Sequence, residues 1–276
     1  VSGAFLDDMA AGSRTRVREA RRSRSHAALE EAARQSPAAP ALRLDESGFD
    51  LIAELKLRSP AAGQLRAASE SIPQRVTAYA RGGAAAVSVL TEPRRFEGSL
   101  AHLTESARVL APLEVPAMRK DFLVDPYQVL EARIAGAGGV LVILRMLARE
   151  DIDALIACAR SQGLFVLLEA FDAKDVELMH ELVAAHTGSN LLAGVNCRDL
   201  GTLAVVPQRL IELAPLLPAR LPRVAESGVR TAEDARRAAT AGYGLALVGS
   251  ALMQAEDPES LIRVLLAAGR AARQAT

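Results

Sequence analysis

The feature that most constrains this chain is a rhythm: short apolar runs, each ending in a polar loop, alternate with stretches of helical periodicity. The runs span 51–55, 85–90, 115–119, 140–144, 165–168, 191–195, 223–225 and 245–248, and helical patterns lie at 72–81, 126–135, 149–161, 173–185, 231–241 and 258–272. Strict alternation implies parallel strands joined by right-handed crossovers, and eight such units predict an α/β fold, a single (β/α)8 TIM barrel. An open doubly wound sheet is the alternative, but no Gly-x-Gly-x-x-Gly turn follows the first run.

Residues 49–276 are assigned to the barrel and 1–48 to an N-terminal helical extension with its connector. Within the extension, 5–35 is rich in Ala and Arg and reads as one helix with an exposed basic face; 36–48, with Pro37 and Pro40, reads as the connector. The arginines Arg14, Arg16, Arg18, Arg21, Arg22 and Arg24 could suggest a nucleic-acid arm. Interspersed acids (Asp7, Asp8, Glu19, Glu30, Glu31) and a single aromatic, Phe5, argue against one. Lys plus Arg equals Asp plus Glu at 33 each, so no global field favours nucleic acid or an anionic membrane. Cys158 and Cys197 form no disulfide framework or metal spacing, no apolar run reaches bilayer length, and a soluble protein of the reducing cytoplasm is expected. A monomer suffices for everything in the sequence.

A barrel carries its chemistry at the C-terminal ends of its strands. Those ends here hold Glu54 and Lys56, then Lys120, Glu169, Asn196, Glu226-Ser227-Gly228 and Gly249-Ser250. Period-two alternation points Glu54 with Lys56, Met118 with Lys120, Leu167 with Glu169, Gly194 with Asn196 and Val224 with Glu226 to common faces. None of His26, His102, His180 and His186 ends a strand, so the expected chemistry is Lys/Glu acid–base work with no metal and no cofactor. Ser227-Gly228 and Gly249-Ser250 offer backbone N–H groups where barrels often hold phosphate, which predicts a phosphorylated small-molecule substrate. On this reading Gly249→Asp should raise KM more than it lowers kcat.

Several blocks together resemble one family. They are Ile52-Ala53-Glu54-Leu55-Lys56 with Ser59-Pro60, Ser88-Val89-Leu90-Thr91-Glu92-Pro93 with Phe96 and Gly98, and Arg119-Lys120-Asp121-Phe122 with Asp125-Pro126-Tyr127-Gln128. Glu169, Gly194-Val195-Asn196-Cys197-Arg198-Asp199-Leu200, Glu226-Ser227-Gly228 and Val248-Gly249-Ser250 continue the match. The chain resembles indole-3-glycerol phosphate synthase, the barrel enzyme of tryptophan biosynthesis. The resemblance implies ring closure of 1-(2-carboxyphenylamino)-1-deoxyribulose 5-phosphate with loss of carbon dioxide and water. It implies Lys120 as the acid toward the ketone oxygen, and Lys56 as the carboxylate's partner and an acid in dehydration. Glu169 and Glu54 would be the base and the tuners of the lysines, and Asn196 would orient Glu169 or the substrate hydroxyls. Arg198 and Glu226 would support the rim, Phe96, Phe122 and Leu141 would wall the anthranilate ring, and Ser59 would join the substrate-binding set.

Two departures stand out. Where the family usually reads Ser-Lys-Gly after Ser59-Pro60, this chain reads Ala61-Ala62-Gly63, losing a hydroxyl and a cation from an active-site loop; this leaves open a lower rate or an altered substrate in a secondary pathway. The joint Ala135-Gly136-Ala137-Gly138 lacks the usual acid, at the face of the barrel that serves stability. Two alternatives compete: phosphoribosylanthranilate isomerase, which needs a Cys that the first run does not end in, and a non-catalytic phosphosugar-binding barrel. Retention of Glu54, Lys56, Lys120, Glu169 and Asn196 together favours the enzyme.

Overall fold

The computed structural model describes residues 2–59, 63–64 and 71–275. Its strands are β1 (Asp50–Leu55), β2 (Ala86–Leu90), β3 (Ala117–Lys120), β4 (Ala137–Ile143), β5 (Phe165–Ala170), β6 (Leu191–Asn196), β7 (Arg223–Glu226) and β8 (Leu245–Val248). All pair in parallel with their sequence neighbours, and β1 pairs β8 to close the barrel. Alternation sorts the side chains into two cores. Leu51, Ala53, Leu55, Val87 and Val89 face the surrounding helices, whereas Ile52, Ala86, Met118, Leu141, Leu167 and Leu192 fill the interior. An apolar interior floor leaves the upper inward positions of the strands for charged side chains.

The main helices are α1 (Ser2–Ser23), α2 (His26–Gln35), α3 (Ile72–Gly82), α4 (Leu100–Leu110), α5 (Pro126–Ile134), α6 (Arg149–Ser161), α7 (Ala173–Ala185), α8 (Gln208–Leu213), α9 (Ala232–Thr240) and α10 (Pro258–Gln274), of which α3, α5, α6, α7, α9 and α10 follow the predicted periodicity and α8 was not predicted. Caps set several starts: Asp125 accepts from Tyr127 N ahead of Pro126, and Thr231 with Asp234 forms a capping box for α9. None of the described helices is long and apolar enough to cross a membrane.

The structure corrects the sequence reading at four places. The single helix expected over 5–35 is two helices, because Ser25 is extended and its hydroxyl caps α2 through Ala28 N. The basic face is not wholly exposed: Arg16 bonds Asp121 and Arg21 bonds Asp125, both acids of the loop after β3. The run at 115–119 starts two residues later, since Pro116 has no N–H to give a ladder. The run at 140–144 starts earlier, at Ala137, because Gly138 and Gly139 are strand residues stripped of side chains to admit neighbours. A Cβ on Gly139 would lie 2.3 Å from the Phe165 ring, which fills that part of the interior instead. α4 was also outside the predicted set, although Leu100, Leu103, Ala107 and Leu110 carry helical spacing behind the Ser99 cap. Ser59 lies in a short antiparallel ladder, Arg58–Ser59 against Gly63–Gln64, and the Ala61-Ala62 departure falls outside the described residues.

Gly139→Ala should therefore destabilise the barrel by overpacking, at about 1–3 kcal/mol. Urea denaturation checks this, and Phe165→Leu in the same chain should restore part of the loss; an unchanged midpoint for the single variant contradicts the packing argument.

Candidate active site

Inward alternation at the end of β1 buries Glu54, and Lys56, one residue past the strand, folds back so that its Nζ donates to Glu54 Oε1 at 2.5 Å. Across the barrel, Lys120 at the end of β3 donates from Nζ to Glu169 Oε2 (3.1 Å) on β5 and Glu226 Oε2 (3.4 Å) on β7. Asn196, the last residue of β6, donates from Nδ2 to Glu169 Oε1 at 3.3 Å. Its Oδ1 accepts from Arg198 N and Ser227 Oγ, both at 2.9 Å, which fixes the amide so that its donor faces Glu169. Glu54 and Lys56 form one pair and Lys120, Glu169 and Asn196 a second group, and all five residues singled out as catalytic line one cleft. The hydrogen bonds of Lys120 also bring the buried Glu226 into contact with it.

Electrostatics follow from one buried cation among buried acids. Burial alone would push the Lys120 ammonium down, but Glu169, Glu226 and Glu54 outweigh it and hold its pKa above the ordinary lysine value. Burial would likewise raise Glu54, yet Lys56, Lys120 and Arg198 hold it below the usual carboxylate range. Glu226 goes the other way: burial first and the neighbouring Glu169 second push it well up, so it keeps its proton where an ordinary glutamate has lost it. Its Oε1 has no hydrogen-bond partner in the described structure.

Two glycines make room for this cluster. A Cβ on Gly194 would lie 2.3 Å from Glu226 Oε1, and one on Gly249 would lie 2.2 Å from Glu54 Oε1 and 3.2 Å from Lys56 Nζ. Gly249 was singled out for a phosphate; its first duty in the structure is to leave space for the Glu54–Lys56 pair.

The charged groups open on a cleft of about 550 Å³ whose wall also includes Phe96, Phe122, Leu141, Arg198, Gly228 and Ser250. Phe5 of α1 lines it too and meets Phe122 edge-on, with ring centroids 5.9 Å apart; Phe96 sits 6.2 Å from Phe122 on the other side. The sequence analysis missed Phe5 as a site residue; its isolation as the extension's one aromatic was the available signal. Ser227 has φ +67° and spends its hydroxyl on Asn196, so the loop's free donors are backbone N–H groups. Arg198 donates from Nη1 to Leu203 O at 2.8 Å, which ties down the loop after β6. A shallower depression of about 610 Å³ lies where Arg43, Arg263 and Arg270 gather, but Glu114, Glu259 and Asp50 already pair them.

Comparison with known proteins agrees with the geometry. The family model for indole-3-glycerol phosphate synthase matches residues 6–265. The indole-3-glycerol phosphate synthase of a Nocardioides species is 41% identical over 260 residues, covering 94% of this chain and 96% of the relative. That of Kineococcus radiotolerans is 39% identical over 274 residues, with 96% and 95% covered. Among solved structures, 3-hexulose-6-phosphate synthase from Salmonella typhimurium has a TM-score of 0.58 at 15% identity, covering 80% of this chain and 98% of that one. Thiamine phosphate pyrophosphorylase from Pyrococcus furiosus has a TM-score of 0.57 at 15% identity, with 82% and 98% covered. At such identities these two show the barrel fold alone.

Two outcomes follow from the packing and the charges. Gly249→Ala should displace Glu54 from Lys56 and lower kcat by up to about 10²-fold with a smaller change in KM. Steady-state kinetics check it, and a pure KM effect contradicts it. Because Glu226 is raised, the unfolded chain loses this proton near the ordinary glutamate value of about 4.3 while the folded chain keeps it. Its contribution to stability is therefore full below that value and is lost as pH rises toward the folded-state pKa. Glu226→Gln removes the loss, so its Tm should gain on the wild type as pH climbs from about 4 to 7. A constant difference across that range contradicts a protonated Glu226.

Proposed function

Since this chain belongs to the indole-3-glycerol phosphate synthase family, we propose that its five converging polar groups divide that family's reaction between a proton donor, a carboxylate holder and a base. It is a carboxy-lyase of tryptophan biosynthesis, and the substrate is phosphorylated. The observation that carries the assignment of roles is the position of Lys120: an ammonium at the centre of the barrel mouth, held by Glu169 and Glu226 and open to the cleft. Ring closure places negative charge on the substrate's ketone oxygen as the new carbon–carbon bond forms. A preorganised cation there stabilises that charge and supplies the proton. The neighbouring acids hold the Lys120 pKa above the ordinary lysine value, so the donor starts charged; the proton leaves when the far more basic alkoxide forms.

Lys56, on the opposite side of the cleft, is the cation for the substrate's carboxylate and then an acid for loss of the hydroxyl as water. Glu54 holds Lys56 in place. Once the ring has closed, the C–C bond to the carboxylate breaks and carbon dioxide leaves, which restores the benzene ring; Glu169, oriented by Asn196, is then the base that takes a proton from the CH2 carbon beside the nitrogen as water leaves, completing the indole. Phe5, Phe96, Phe122 and Leu141 support binding of the anthranilate ring, and the backbone donors of Gly228, Gly249 and Ser250 support the phosphate, with Arg198 beside them and Ser59 on the entering loop. Residues 1–48 act in this reading as an extension that roofs the aromatic wall. All the groups named lie on one chain, which supports activity as a monomer; the two free thiols suit a reducing cytoplasm. Together, the retained lysines and glutamates disfavour a non-catalytic phosphosugar binder.

Lys120→Ala should lower kcat by about 10²- to 10⁴-fold while substrate still binds through its phosphate. Lys120→Arg should rescue little, because a guanidinium keeps its charge but does not give up a proton. Lys56→Ala should harm both binding and dehydration. Single-turnover formation of indole-3-glycerol phosphate, followed in the ultraviolet, separates the three; wild-type turnover by Lys120→Ala would sink the assignment.

A further inference from the structure

Asp121 follows Lys120 in the chain and is almost fully buried, at 2% exposure. Its carboxylate has every acceptor direction filled. Oδ1 accepts from Arg16 Nη2 (2.7 Å) and Phe122 N (2.8 Å), and Oδ2 accepts from Thr91 Oγ1 (2.7 Å) and Arg119 Nη2 (3.2 Å). Thr91 N also donates to Lys120 O at 3.0 Å, so the same threonine clamps the backbone of Lys120 and the side chain beside it. Arg119 in turn donates to Gln128 O (2.8 Å) and Glu131 Oε2 (3.0 Å) on α5. Of the four side-chain and backbone donors to Asp121, only Arg16 comes from outside the barrel.

Arg16 faces a second buried acid. Its Nη1 lies 3.6 Å from Oε1 of Glu92, a residue with no exposed surface. Glu92 caps the turn Pro93–Phe96 by accepting from Arg94 N (3.0 Å) and Arg95 N (2.6 Å), and that turn carries Phe96 into the cleft. One guanidinium thus spans the carboxylate next to the proton donor and the carboxylate that sets an aromatic wall. Removing it would leave Glu92 without a cation and Asp121 short of a charged donor, both in a medium where unpaired charge is costly. Relaxation of the 120–122 backbone is the cheapest response, and that backbone aims Lys120.

The geometry points to Arg16 as a positioning residue, through which docking of α1 sets the aim of Lys120 by way of Asp121. This rests on the reading of Lys120 as the proton donor. It gives the N-terminal extension a part in the chemical step that differs from contact with substrate. Arg21, one and a half turns further along α1, supplies a control: it bonds Asp125 at 2.8 and 3.0 Å in an exposed pair that touches neither acid.

The test is steady-state and single-turnover kinetics of the full chain for Arg16→Met, Arg16→Lys and Arg21→Met, with Tm for each. Arg16→Met should lower kcat by about 10- to 100-fold with KM changed by much less, since the misplaced group acts in the reaction and not in binding. Arg16→Lys should recover part of kcat, because an ammonium can serve one carboxylate but not bridge two. Arg21→Met should keep wild-type kcat. In a Lys120→Ala background, Arg16→Met should cost the residual rate nothing further, as an effect routed through Lys120 requires. Wild-type kcat in Arg16→Met overturns the inference. So does an equal loss in Arg21→Met, a full additional loss in the Lys120→Ala background, or an Arg16→Lys variant that folds with wild-type Tm and is no better than Arg16→Met. Failure of the catalytic reading itself is separately visible, as wild-type turnover of Lys120→Ala alone.

Discussion

Everything at the mouth of this barrel is arranged around an ammonium that has been taken out of water and given back three acidic neighbours. Lys120 is held by Glu169 and Glu226 directly and by Glu54 at longer range. Removing Glu169 or Glu54 would take a counter-charge from a buried cation, which is far more costly than loss of a surface ion pair. Burial and the neighbouring Glu169 push the pKa of Glu226, the member with an unpartnered oxygen, well up. Gly194 on β6 and Gly249 after β8 are part of the same arrangement because a methyl at either would occupy a carboxylate's place.

The outer parts support this centre in sequence. Interior packing of Ile52, Met118, Leu141 and Leu167 below the charges denies them water from beneath. Asn196, held by Ser227 and the backbone of Arg198, fixes one face of Glu169. From above, α1 lays Leu6 and Met9 against the barrel-mouth cluster and seats Phe5 on Phe122. Farther along the helix, Tyr127 Oη donates to the carbonyls of Ala20 (3.1 Å) and Arg24 (3.0 Å), pinning the end of α1 to the start of α5. The extension is therefore continuous with the site through both apolar and ionic contacts.

The barrel was legible in the sequence because parallel strands buried on both faces must read as bare apolar runs, and eight of them leave little choice of topology. The polar residues ending those runs were legible for the same reason: an acid or a lysine at the last inward position has no structural use. What could not be read was anything set by tertiary contact. Nothing in the Arg-rich extension distinguishes Arg16 and Arg21, which bond to the barrel, from Arg14 and Arg22, because their partners Asp121 and Asp125 lie over a hundred residues away. Gly139 looked like the end of a loop, since only the Phe165 ring explains a bare strand position there. Alternation turned Glu226 inward with Val224, but its contact with Lys120 on another strand could not be read, because alternation gives direction and not partners.

The central claim is that the carboxylate cluster keeps Lys120 charged and fixed at the barrel mouth. The most direct measurement is a pH titration of the Lys120 side-chain nitrogen by ¹⁵N NMR, in the resting protein with selectively labelled lysine and Lys120→Arg to assign the signal. The account predicts an ammonium signal that persists past the ordinary lysine value of about 10.4, and that moves to lower pKa in Glu169→Gln. A Lys120 that loses its proton at or below the ordinary value in the wild-type protein would contradict it.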